Sequence, residues 1–456
     1  MFEKFAAKKS RPILLGVIAI ILVAALLFSS GILPSLQSNA VSLASEPRIT
    51  ERPDSDDFNS LEEWRAELDA WNAEQTTRDS VTAEALATMQ SFLTGCSQEF
   101  LSSPDDKNQV CSPVNGYIAL AMLAETTGGE TRQQILDLLG ADDLDTLRPQ
   151  VSAVWESVYQ NDGHEISVLA NSLWLDADLS YVQEAMDTLA YYHYASVYQG
   201  DFGTGKTDKA IQSWLNSNTA GLLEDSVNTI SLPAETVMTL ASTVYFQAKW
   251  VTQFDEKNNT QDLFHSPSGD LTCTYMNREE MQANYYWGDS FGAVSLPLKN
   301  GSRMWLILPD EDKTPADVLA QGQYMEMVTD NTAFSETSSK YMKVNLSLPK
   351  FDVSSSADLK SGLQSLGITD IFDITAADFS PSIESSLPVY LSGVNQAARV
   401  IIDEEGVKAA SYIEMPTAGA AAPPEEIIDF ILDRPFLFII ADYSGIPLFA
   451  GVVNKP

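Results

Sequence analysis

The chain has 456 residues, 45% of them hydrophobic and 9% aromatic, enough to bury one large core or two ordinary ones. Its net charge of −36 repels phosphate backbones and sulfated polysaccharides, which excludes nucleic acid and heparin-like partners. Three cysteines cannot form a disulfide framework; Cys96 and Cys111 lie close enough in sequence to pair and leave Cys273 over, or all three stay isolated thiols.

At the N-terminus Lys4, Lys8, Lys9 and Arg11 precede an apolar run from Ile13 to Phe28, extended by Ser29 to Leu33, and no charge occurs between Arg11 and Glu46. A positive start before such a run is an export signal with the flank kept inside. The uncharged stretch, at ~20 residues, is long enough to cross a bilayer as an uncleaved anchor. Ser38-Asn-Ala40 would also suit a signal peptidase. No Cys follows the run, which argues against a lipid anchor. The expected organisation is a cytoplasmic basic start (1–12), a transmembrane anchor or signal-peptide core (13–33), a tether (34–80) and one folded domain (81–456). That domain would be extracellular, either secreted or held at the cell membrane. Within the tether, Leu61, Trp64, Leu68 and Trp71 recur at helical spacing and predict a short amphipathic helix.

Further along, Gly200-Asp-Phe-Gly-Thr-Gly205-Lys206-Thr207 matches a phosphate-loop pattern between a strand-like stretch and a helix. No apolar strand ending in a metal-binding Asp follows it, and Gly in a strand-to-helix turn explains it as well. Thr239 to Trp250 and Met304 to Leu308 are mostly apolar, as in strands covered on both faces. Gly288-Asp-Ser290-Phe-Gly292 matches a nucleophile elbow, but Val294, Leu296 and Leu298 continue as a strand where the elbow needs a helix. The histidines, His164, His193 and His265, all precede Ser290, and they are too scattered for a metal site. No enzyme, cofactor or metal reading survives. Met342, Val344, Leu346 and Leu348 alternate like a strand with one buried face. Leu359, Leu363 and Leu366 mark a helix face stopped by Gly367, and Phe436 to Ile440 with Pro447 to Val453 read as a hairpin. The mixture predicts an α+β fold with large mixed or antiparallel sheets, surrounding helices and an exposed loop.

That loop follows Asp403-Glu-Glu-Gly406. Val407, Ala409, Ser411, Ile413, Met415 and Thr417 alternate with Lys408, Ala410, Tyr412, Glu414 and Pro416, and Pro423-Pro424 closes the run. An exposed segment with the period of a half-buried strand is a strand without a sheet. This arrangement resembles the reactive loop of the serpins. The resemblance extends over roughly 81 to 456 through Asn108 to Pro113, Asn171-Ser-Leu-Trp174, Trp214 with Thr219 and Gly221, Val244 to Trp250, Leu348-Pro-Lys-Phe351, Leu366 to Phe372 and Leu448 to Asn454.

The resemblance implies a monomeric suicide-substrate inhibitor of a serine protease. Cleavage would fall between Ala420 and Ala421, and the hinge would comprise Glu404, Glu405, Gly406, Val407, Ala409, Ala410 and Ser411. Residues 407–420 would then enter the main sheet as an added strand, with Val407, Ala409 and Ser411 facing inward. Lys408 and Tyr412 depart from the family's hinge but should face outward, and Pro416 would interrupt the ladder late. Small side chains around Ala420 suit an elastase-like or subtilisin-like protease. A polar shutter maps onto Ser112, Asn115, Ser242 and Gln396, with no titrating group and hence no expected pH switch. Trp250 lies under the point where the loop first enters. The alternative is a non-inhibitory member displayed as a surface binding module.

Overall fold

The computed structural model describes residues 16–26, 41–44, 60–102, 107–161, 166–330, 337–386, 388–404 and 424–456. Two large sheets and the helices around them share one hydrophobic core. The first sheet has eight strands, ordered Phe351–Asp358, Val389–Ile402, Gly16–Leu26, Thr236–Gln247, Ile166–Asp176, Ala195–Gly200 and Val41–Ala44, with Gln160–Asn161 paired off Ile166–Asp176. At its centre, Thr236–Gln247 buries all twelve residues, as a strand covered on both faces must. The strand ends before Trp250, which continues only as an isolated bridge to Leu298.

The N-terminal apolar run departs from expectation. Gly16–Leu26 is not a membrane helix but a strand, lying between Val389–Ile402 and Thr236–Gln247 and parallel to both. Among the described residues no helix is long and apolar enough to cross a membrane. Both settings are apolar, so the composition of this run suits either; in the sheet its backbone groups are satisfied by two neighbours. The expected tether differs too. Val41–Ala44 is the edge of that sheet and pairs antiparallel with Ala195–Gly200. The short helix near Trp64 is the start of one 41-residue helix, Leu61–Leu101, that runs across the expected boundary at 80. Ser60 caps it, its Oγ accepting from the Glu63 amide at 3.2 Å, and Glu62 and Glu63 face the positive end of the dipole. Trp64, Leu68 and Trp71 are half-buried, and full burial begins at Thr82.

The second sheet has nine strands. Ile427–Ile431, Ser339–Pro349, Gly269–Trp287, Phe291–Pro297, Arg303–Pro309, Phe436–Ala441, Pro447–Val453 and Gln109–Cys111 follow one another, and Thr260–Ser266 pairs with Gly269–Trp287. The predicted hairpin, Phe436–Ala441 with Pro447–Val453, is antiparallel. Its turn is set by Asp442, whose Oδ1 accepts from the amides of Ser444 (2.9 Å) and Ile446 (2.8 Å). Between the sheets lies the helix Pro113–Thr126, with all fourteen residues buried. Pro113 suits its first turn, where no N–H partner is needed.

Candidate functional site

Ser112 ends the strand Gln109–Cys111 and caps the buried helix, its Oγ accepting from the Asn115 amide at 3.4 Å. That fixes Asn115 beneath the centre of the first sheet, where its Nδ2 donates to the Ser242 carbonyl at 3.4 Å. From the opposite side Gln396 Nε2 donates to the Ser112 carbonyl at 3.3 Å. The four residues assigned to the shutter therefore do come together, and all are buried. A fifth member was missed in the sequence. Asn171, on the neighbouring strand Ile166–Asp176, accepts from Ser242 Oγ at 2.6 Å and donates to the His193 carbonyl at 2.8 Å. The four shutter side chains carry no titrating group. The His193 ring points elsewhere, to Glu125 at 3.3 Å, and Arg148 also holds that carboxylate at 2.7 Å. Burial alone would raise the Glu125 carboxyl, but His193 and Arg148 outweigh it and keep it below its usual range.

The two strands that carry Ser242 and Gln396 are not neighbours. Leu22 of the N-terminal strand is in register with both. The sheet is thus held open by one strand's width, and that width is filled.

At the upper end of this slot Trp250 is buried, and its Nε1 donates to the Asp403 carbonyl at 3.0 Å. Phe254 meets its ring edge-on at 5.9 Å. The next residue, Glu404, is also buried and pairs with Lys350 at 2.7 Å, while Asn259 donates to its other oxygen. Burial opposes ionisation of Glu404, but these two donors prevail and lower its pKa from the ordinary value. The end of Val389–Ile402 is therefore pinned by an indole, a lysine and an amide. Lys350 and Asn259 had given no sign of this in the sequence. Glu405, Gly406, Val407, Ala409, Ala410 and Ser411 of the hinge, with Ala420 and Ala421 of the reactive bond, lie outside the described residues.

The catalytic motifs have structural explanations. Ser290 is buried, donates to Gln321 Oε1 at 2.8 Å and leads into the strand Phe291–Pro297. In the phosphate-loop pattern the Thr207 hydroxyl donates to the Asp201 carbonyl at 2.8 Å, closing the turn on itself. A Cβ at Gly200 would come within 2.7 Å of that hydroxyl oxygen, so glycine is needed for packing. His265 is exposed and pairs with Asp270 at 2.9 Å, and His164 lies outside the described residues. All three cysteines are free. Burial drives the Cys96 thiol up to about 12 and the Cys111 thiol well above its ordinary value.

Known proteins share this chain's sequence pattern and fold. The family model described as Serpin (serine protease inhibitor) matches residues 87–456. Plasminogen activator inhibitor 1 of Sus scrofa is 29% identical over 379 residues, covering 79% of this chain and 89% of that protein. Serpin-Z1C of Triticum aestivum is 29% identical over 365 residues, covering 76% and 90% respectively. Among solved structures, the thermophilic serpin tengpin in its native state superposes with a TM-score of 0.71 at 27% identity, over 81% of this chain and 94% of that one. Its latent state gives 0.67 at 25% identity, over 81% and 97%.

Proposed function

The chain belongs to the serpin family, whose members are generally serine protease inhibitors rather than catalytic enzymes, and from that premise we propose a suicide-substrate inhibitor with small-residue specificity. A protease with a shallow apolar pocket, elastase-like or subtilisin-like, attacks the bond between Ala420 and Ala421. The cut releases residues 407–420 to enter the first sheet between Val389–Ile402 and Thr236–Gln247. The acyl-enzyme is then distorted before water can hydrolyse it. Stored strain released by loop insertion is the general serpin device. The observation that carries the reading is a slot one strand wide, with a polar cluster beneath it and a pinned hinge at its mouth.

The N-terminal strand fills that slot, and inhibition requires it to leave. We assign its departure to export: in the membrane as an anchor, or removed by a signal peptidase, residues 13–33 cannot occupy the sheet. The body then acts outside the cell as a monomer. Incubation with an elastase should give a complex that survives boiling in detergent; clean cleavage without complex would reject inhibition. Occupancy of the slot by Gly16–Leu26 favours a second reading, a non-inhibitory binding module displayed at the surface. Val407→Arg separates the two, since a charge entering the sheet interior costs several kcal/mol. Inhibition should vanish under the first reading and activity be indifferent under the second.

A further inference from the structure

Beside the loop that leaves Trp250, a cavity of about 450 Å³ opens against Gly269–Trp287, Phe291–Pro297 and Arg303–Pro309. Thr252, Arg278, Gln282, Asn284, Ser295 and Arg303 supply its polar lining, and among the described residues no carboxylate lines it. The chain holds 63 acidic residues against 27 basic ones, so a concave surface with two arginines and no acid stands out. Arg148, Arg399 and Arg434 each hold a carboxylate; among the described residues Arg278 and Arg303 hold none.

Arg278 is built into place. Its Nη2 donates to the Thr252 carbonyl, and its guanidinium carbon lies 4.2 Å from the centre of the Phe254 ring. Its Nε is buried with no acceptor among the described residues. Burial lowers its pKa to about 10, as expected of a desolvated cation with no counter-ion. Arg303, exposed at the rim, donates from Nη1 to Ser295 Oγ at 3.3 Å. A half-buried cation without a counter-ion is costly, and an anion supplied from solution would lower that cost.

We propose that this cavity binds a small organic molecule carrying a phosphate or sulfate ester, with Arg278 and Arg303 taking the oxyanion. Guanidinium forks match such groups by paired hydrogen bonds. Gln282, Asn284 and Ser295 add further hydrogen-bonding groups. The volume exceeds what a bare ion fills and lies within the range of small-molecule sites.

The test is calorimetric titration of the full chain with phenyl phosphate, phenyl sulfate, benzoate and the neutral phenyl glucoside. Saturable binding of an ester, at least tenfold tighter than benzoate and absent for the glucoside, is expected. Arg278→Gln and Arg303→Gln should each weaken it at least tenfold. Arg303 is exposed, so its variant should keep the parent melting temperature and decides the matter if Arg278→Gln does not fold. No saturable heat, benzoate binding as tightly as the esters, or full affinity in Arg303→Gln would overturn the assignment.

Discussion

The N-terminal strand makes a quantitative prediction about what cutting the loop can release. Each residue of a newly laid central strand nets about 1 kcal/mol in backbone hydrogen bonds. Fourteen incoming residues, Val407 to Ala420, would release about 14 kcal/mol into an open slot. If the eleven residues of Gly16–Leu26 must leave first, only about 3 kcal/mol remains. At about 2.1 cal/mol/K per residue, a domain of this size unfolds with an entropy of about 0.8 kcal/mol/K. Nicking should therefore raise the melting temperature by about 4 °C in the parent and by about 18 °C once the strand is kept out. Leu22→Pro keeps it out, because proline removes an N–H from mid-strand and clashes in a central ladder. The assay is scanning calorimetry of the full chain before and after elastase-type nicking, with the cut confirmed by mass. Equal rises in Leu22→Pro and parent would refute the reasoning.

Three further outcomes follow from the site. Ser242→Ala strips Asn171 Oδ1 of its 2.6 Å donor and should cost about 1–3 kcal/mol, read by denaturant unfolding; an unchanged midpoint would contradict the buried network. Glu404 ionises more readily folded than unfolded, so its contribution is full above the ordinary value of 4.5 and is lost as pH falls through the lowered folded value. Glu404→Gln should flatten the acid limb of the melting-temperature profile, and an unaltered limb would exclude the Lys350 pair as its source. A thiol reagent should reach at most Cys273 in the native chain and all three cysteines after denaturation, because Cys96 and Cys111 are buried and their thiols resist ionisation.

Much of the fold was legible because local periodicity and tertiary burial coincide. The fully covered strand Thr236–Gln247, the alternating Ser339–Pro349 and the closing hairpin all announced themselves by composition. The shutter was legible only through the resemblance, since nothing near Ser112 in sequence points to Gln396, 284 positions away. Asn171 lies in the strand-like Asn171-Ser-Leu-Trp174, and its signal is an amide side chain buried within a central strand, which needs a partner. Lys350 and Asn259 could not be read at all, because their meeting with Glu404 is purely tertiary. The strand at 16–26 was not legible for a plain reason: an unbroken apolar stretch rich in Ile, Val and Leu meets the requirements of a bilayer and of a central strand alike.

The polarity of Gly16–Leu26 fixes how any exchange of strands must proceed. A segment that followed the upper end of Val389–Ile402 into the sheet would have to double back, descending antiparallel where the resident strand ascends. Its leading residues would reach the rung shared by Leu26, Val400 and Phe246 first. The resident strand would therefore peel from Leu26 toward Gly16, one rung for each rung gained, like branch migration between competing nucleic-acid strands. Such an exchange is nearly isoenergetic until the final rungs. A molecule caught in that contest would advance by a random walk, and a protease riding on the loop would have time to escape.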